Sequence, residues 1–316
     1  MSNNIFLWIF SCGLELGVIV LCLLPLRMLL RKKVPRVFSY FLWCTLPMNI
    51  LYNLWMLFGP VKIHQVVVHI HKEPQIVLGE TITQILKWCW ICGTIAVVFG
   101  MLYSYFRFMR CLVGSIRLKE NIYLAERIQS PFSLGVLFPK IFLPTSLSKV
   151  YYEPVILHER VHIARKDIWV KYLAVGFLGF FWFQPLLWYA YRLFINDMEE
   201  ACDETVLKRQ GAAFRAEYAM ALVEVSFQAG KVQGAAIGYR NGEIKGRIKN
   251  IMNYEKTRFS VRMIAVCICI LFMIATIPLA WEVPRVVQME QQNTVGIGGA
   301  VIRETGMKIN TITDDN

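Results

Sequence analysis

The chain has 316 residues, 56% of them apolar, and a formal net charge of +12, with a mean hydropathy of +0.46. Soluble domains carry about 45–50% apolar residues, so this composition argues against an ordinary cytosolic protein and for a membrane one. The basic excess does not mark a nucleic-acid binder, because Lys and Arg beside apolar segments commonly set membrane topology, and no direct nucleic-acid contact is expected.

Four apolar runs, near Ile5–Leu26, Phe38–Phe58, Ile85–Phe106 and Met263–Ala280, suffice at about 1.5 Å per residue to cross a hydrocarbon layer about 30 Å thick. The N-terminus lacks the positive charge and small-residue cleavage site of a signal peptide, so the first run reads as a permanent anchor. Arg27, Arg31, Lys32, Lys33 and Arg36 follow it, while Arg107, Arg110, Arg117 and Lys119 follow the third run. Lys245 to Arg262 form a third basic group before the fourth run. The positive-inside bias therefore puts these connections in the cytoplasm and the N-terminus outside. The domains expected are a membrane region at 1–106 with three spans, a cytoplasmic domain at 107–262, a fourth span at 263–280 and a short, flexible external tail at 281–316.

Within the cytoplasmic part, Ser130–Pro144 is rich in β formers and punctuated by Gly135 and Pro139, which suits an edge strand or hairpin. Helices are expected over Glu153–Lys166, from about Asn196 through Leu207, and over Ala212–Gln228. Ile168–Tyr191 is apolar enough to span a membrane, but a single crossing would separate His162 from Glu199 by about 30 Å. Gly176, Gly179 and Pro185 permit a break, so the segment reads as two half-helices dipping into the membrane or packed on its face.

His158-Glu159-Arg160-Val161-His162 is an H-E-x-x-H motif in a helical context. Spacing of i, i+4 sets the imidazoles about 40° apart around the helix and about 6 Å along it, so both reach one Zn2+. Glu159 then stands where a carboxylate can take a proton from water and deliver it to a leaving amine. In a chain with this many His and Glu the motif is expected by chance only about 0.004 times. A zinc peptidase needs a third protein ligand and an open position. Glu199 supplies the ligand, and Asp203, four residues on, shares its helical face and can orient a ligating His. Glu200 is the lesser candidate, and Cys202, off that face, is the cysteine best placed to close the site.

Seven of the nine Cys lie in apolar runs, as small buried hydrophobes rather than a disulfide scaffold. Cys89 and Cys92 have redox spacing but lack a βαβ context. Glu15, inside the first span, should lie near the external interface or pair with a polar group. His64, His69 and His71 fall in the second, external connection and read as a solvated loop.

Several segments together resemble the BlaR/MecR-type antirepressor metallopeptidases, the membrane transducers of β-lactam resistance. They are Pro131-Phe-Ser-Leu-Gly135 to Pro144, the H-E-x-x-H motif, Pro185-Leu-Leu-Trp188, Glu199-x-x-Cys202-Asp203-Glu204, the Tyr218–Leu222 helix and Arg247-Ile248. The resemblance implies a polytopic α-helical membrane protein with about four spans and a cytoplasmic, mainly α (α+β), gluzincin-like zinc peptidase domain. It implies Zn2+ on His158, His162 and Glu199, with Glu159 catalytic. Proteolysis of the chain itself or of a cytosolic helix-turn-helix repressor would answer an external signal, with a homodimer left open; the alternatives are a membrane quality-control or prenyl-protein zinc protease and a non-catalytic signalling scaffold with structural zinc. Well-known members continue into a large penicillin-binding sensor, whereas only Trp281–Asn316 follows the fourth run here, without an S-x-x-K motif. Gln184 stands where Asn or His is expected before Pro185.

Overall fold

The computed structural model describes residues 3–31, 34–58, 80–211, 213–230, 237–254 and 259–276. The loop carrying His64, His69 and His71 and the tail 281–316 lie outside the described residues.

Two helices among these are long and apolar enough to cross a membrane, α1 (Asn3–Leu30) and, with α2 and α3 between them, α4 (Glu80–Cys111). The second expected span is instead divided into α2 (Arg36–Leu42) and α3 (Thr45–Phe58). Pro47 explains the break, because its ring would strike the carbonyl of Trp43 in a continuous helix. The Thr45 hydroxyl donates to Leu42 O at 2.8 Å across the corner. The fourth expected span is α10 (Phe259–Thr276), shorter than a full crossing within the described residues.

α1 buries a stripe at helical spacing, Cys12, Leu16, Ile19 and Leu23, in the largest apolar core. Glu15 is also buried, and Asn53 Nδ2 of α3 donates to it at 3.0 Å. That pairing with a polar group satisfies an otherwise costly carboxylate.

After α4 comes a four-stranded sheet of β1 (Ile116–Lys119), β2 (Ile122–Ala125), β3 (Phe132–Leu134) and β4 (Lys140–Pro144). The strand order is β1-β2-β4-β3, with β2 and β4 parallel and the outer pairs antiparallel. The expected hairpin is β3–β4, turned by Gly135 at φ +102°, where a Cβ would come within 2.6 Å of Phe138 O. The β1–β2 hairpin was not expected, since its strands are only four residues each.

The helices that follow the sheet are α5 (Tyr152–Arg165), α6 (Asp167–Phe180), α7 (Pro185–Gln210), α8 (Arg215–Gly230) and α9 (Ile237–Met252). The helix expected from Asn196 begins at Pro185, whose fixed φ suits a first helical position. The apolar segment before it turns at Phe181–Gln184, past Gly176 and Gly179, which stay inside α6. Three glycines receive this turn: a Cβ on Gly93 of α4 would lie 2.0 Å from the Trp182 ring, on Gly13 2.7 Å from Phe183, and on Gly17 2.5 Å from Gln184. Gln184 Nε2 donates to Gly13 O at 2.9 Å, a reach that the longer amide side chain supplies. α9 had no counterpart in the sequence reading.

Candidate metal centre

α5 places His158, Glu159 and His162 on a buried face, and α7 crosses it with Glu199. The two Nε2 atoms are 3.1 Å apart, and Glu199 Oε2 and Oε1 lie 3.2 and 3.5 Å from those of His158 and His162. Ligand atoms about 2.0–2.2 Å from one tetrahedral zinc stand roughly 3.3–3.6 Å from each other. The two nitrogens, each with one oxygen of the same carboxylate beside it, are thus spaced close to the ligand atoms of such a site.

The outer nitrogens are held as a metal site requires. Tyr218 donates to Asp203 Oδ1 at 2.6 Å, so the His158 Nδ1–H donates to the Tyr218 oxygen, also at 2.6 Å. The His162 Nδ1–H donates to Asp167 Oδ2 at 2.7 Å. Both Nε2 lone pairs are therefore left to converge on one point, where only a cation fits between them. Electrostatics agrees. Burial lowers the pKa of both imidazoles, but Cys202, Tyr218 and Asp203 around His158, and Glu199, Cys202 and Asp167 around His162, raise it well above the usual value overall. The surroundings favour positive charge there.

Burial raises the Glu199 pKa, yet His162, His158 and Lys171 hold it well below the usual carboxylate range. Asp203 is likewise raised by burial and lowered more by Arg247, to about 2. Arg247 donates to both Asp203 oxygens, at 2.7 and 2.8 Å. Asp203 thus meets His158 mainly through Tyr218, with a direct separation of 3.4 Å.

Cys202 is a second candidate ligand, because its thiol lies within 4.8 Å of the histidine donor atoms. Burial raises its pKa, but His158 and His162 bring it below the usual value. Glu199 is the better third ligand on two grounds. Its oxygens reach both Nε2 atoms and its side chain, 22% exposed, faces the cavity, whereas Cys202 is fully buried with its thiol on the His158 carbonyl at 3.4 Å. Glu200 is turned away onto Arg31 and Arg36.

Glu159 is buried beside the motif histidines and lines the same cavity, of about 850 Å³, as Glu199, Lys171 and Arg247. The edge strand β3 borders that cavity through Phe132 and Ser133. Asp167, Lys171, Tyr218 and Arg247 are site residues to which the sequence alone assigns no role. Asp167 follows the motif by only five residues, a local signal, but Tyr218 carried none that separates it from a core aromatic.

The BlaR1 peptidase M56 family profile matches residues 59–251, more than half of the chain. The chain belongs to the BlaR1 peptidase M56 family. Among curated M56-type relatives, the methicillin resistance mecR1 protein of Staphylococcus aureus is 26% identical over 233 residues, covering 63% of this chain and 39% of that protein. The regulatory protein BlaR1 of Bacillus licheniformis is 29% identical over 149 residues, 44% of this chain and 25% of that protein. The chain thus spans well under half the length of these relatives. Membership of M56, a metallopeptidase family, suggests a metal cofactor, and the cluster above is where the residues of this chain fit one.

Proposed function

We propose that this chain is a membrane-embedded zinc endopeptidase of the antirepressor type, with His158, His162 and Glu199 as zinc ligands and Glu159 as general base. The observation that carries the reading is the convergence of three metal-donor side chains, with donor atoms 3.1–3.5 Å apart, beside a buried carboxylate in an open cavity. Bound zinc supplies a Lewis acid and lowers the pKa of a coordinated water toward about 7. Glu159 accepts the proton of the attacking water and passes it to the leaving amine. Asp167 and the Tyr218–Asp203–Arg247 chain keep the two imidazoles in the ligating tautomer. Lys171 and Arg247, 3.6 and 3.5 Å from Glu199, give the cavity cations that can hold a substrate carbonyl or carboxylate.

On this reading α1, the α2–α3 pair, α4 and α10 cross the cell membrane, residues 107–262 face the cytoplasm with 168–191 membrane-associated, and the N-terminus and the tail are external. The basic connections support that orientation. The substrate is the chain itself or a cytosolic helix-turn-helix repressor, consistent with relatives named for regulation and methicillin resistance. The proximity of Cys202 favours one alternative, a closed structural zinc in a signalling scaffold.

Glu159→Gln separates the two readings. It keeps side-chain size and hydrogen bonding while removing the base, so the variant should hold zinc like the wild type and lose cleavage of itself or of a co-expressed repressor. A variant that still cleaves would remove Glu159 as the base, and one that signals as the wild type does without cleaving would replace the peptidase with the scaffold.

A further inference from the structure

The metal centre does not stand on the motif helices alone. α7 carries two sets of acidic residues: Glu199 and Asp203 face the histidines, while Asp197, Glu200 and Glu204 face the α1–α2 corner. Asp197, 1% exposed, accepts both Arg27 Nε and Nη2 at 2.7 Å and Trp43 Nε1 at 2.8 Å. Glu200 pairs with Arg31 and Arg36, and Glu204 accepts the Arg36 backbone N–H at 2.6 Å. On the other flank, Tyr40 of α2 donates to Asp167 Oδ1 at 3.3 Å, the carboxylate that holds His162. The Tyr40 ring also stacks on Phe194 of α7 and lies under the Arg165 guanidinium.

We propose that the α1–α2 corner is a positioning element of the metal centre: Tyr40 fixes His162 through Asp167, and Arg27 with Trp43 fixes the rotation of α7, and so Glu199, through Asp197. The inference rests on the zinc-site reading above and adds its regulation, because a displacement of α1 or α2 becomes a displacement of two ligands. The magnitudes require such a clamp. A metal site tolerates about ±0.2 Å in its ligand distances. At a helix radius of about 5–6 Å, before side-chain adjustment, that is a rotation of only about 2°. Asp197 lies two residues from Glu199, about 200° around α7, so a lock on one face sets the azimuth of the other. Arg27, Tyr40 and Trp43 all precede the region 59–251 matched by the peptidase family. The lock is therefore supplied by the membrane region.

The test is zinc affinity of the full chain in detergent, measured by competition with a chromophoric chelator, together with the visible spectrum of the Co2+-loaded protein. Tyr40→Phe keeps the stacked ring and removes one hydroxyl, and Trp43→Phe removes the N–H that Asp197 accepts together with part of the buried indole. Each should weaken zinc about tenfold, at the lower end of the range for residues that orient ligands, and alter the Co2+ bands, while the unfolding midpoint of zinc-free Tyr40→Phe stays at the wild-type value. Tyr103→Phe, on the exposed surface of α4, should change neither reading. Wild-type affinity and spectrum in Tyr40→Phe and Trp43→Phe overturn the proposal and leave the zinc site standing. A wild-type chain that holds no zinc overturns both.

Discussion

α1 and α4 read alike in the sequence, as apolar runs of crossing length each followed by a basic cluster, yet they hold opposite places in the molecule. Half of the apolar stretch of α1 is buried, packed on α2, α3 and α7, and its last turn delivers Arg27 to Asp197. None of the corresponding stretch of α4 is buried, and its aromatic residues Phe99, Tyr103 and Phe106 are exposed. Hydropathy registers the solvent a helix needs, not the partners it has. Arg27, Arg31 and Arg36 are read from sequence as topology signals, whereas in the fold each is bonded to an acidic side chain of α7.

The sharpest way to break this contrast is to cut the buried pair. Arg27→Met leaves Asp197 charged and buried with only Trp43, and should destabilise the chain by about 3–5 kcal/mol in detergent unfolding. Tyr103→Leu on α4 should stay within about 0.5 kcal/mol of the wild type. Equal losses would mean that α4 is as integral as α1.

A smaller effect divides α4 internally. Gly93→Ala must displace the Trp182 ring, because a Cβ there would lie 2.0 Å from it, and should cost about 1–3 kcal/mol. Gly100→Ala meets nothing within 4 Å and should change stability by no more than about 1 kcal/mol, in the stabilising direction set by helix propensity. Thermal unfolding of the two variants compares them directly. Similar midpoints would mean that the Phe181–Gln184 turn is not seated on α4.

What was legible in the sequence follows interaction range. The i, i+4 histidines, the Glu199–Asp203 spacing and the β3–β4 hairpin are local patterns, and local geometry places them. The break of the second apolar run was also local, in Pro47, but length and hydropathy outweighed it in the reading. Tyr218, Arg247 and the Arg27–Asp197 pair join residues far apart in the chain, so no spacing could announce them. Glu15 is intermediate: its cost in a span signalled a partner, but only the packing of α3 identifies Asn53. Gln184, a departure from the family pattern, becomes intelligible once its amide is seen on the Gly13 carbonyl.

On the proposed reading Glu199, rather than Cys202 or Glu200, completes a three-ligand zinc site with His158 and His162. Metal analysis of purified wild type, His158→Ala, Glu199→Ala, Glu200→Ala and Cys202→Ala tests it most directly. About one zinc per chain is expected in the wild type, with loss of most of it in His158→Ala and Glu199→Ala and retention in Glu200→Ala and Cys202→Ala. Full zinc in Glu199→Ala, with loss in either Cys202→Ala or Glu200→Ala, would contradict it.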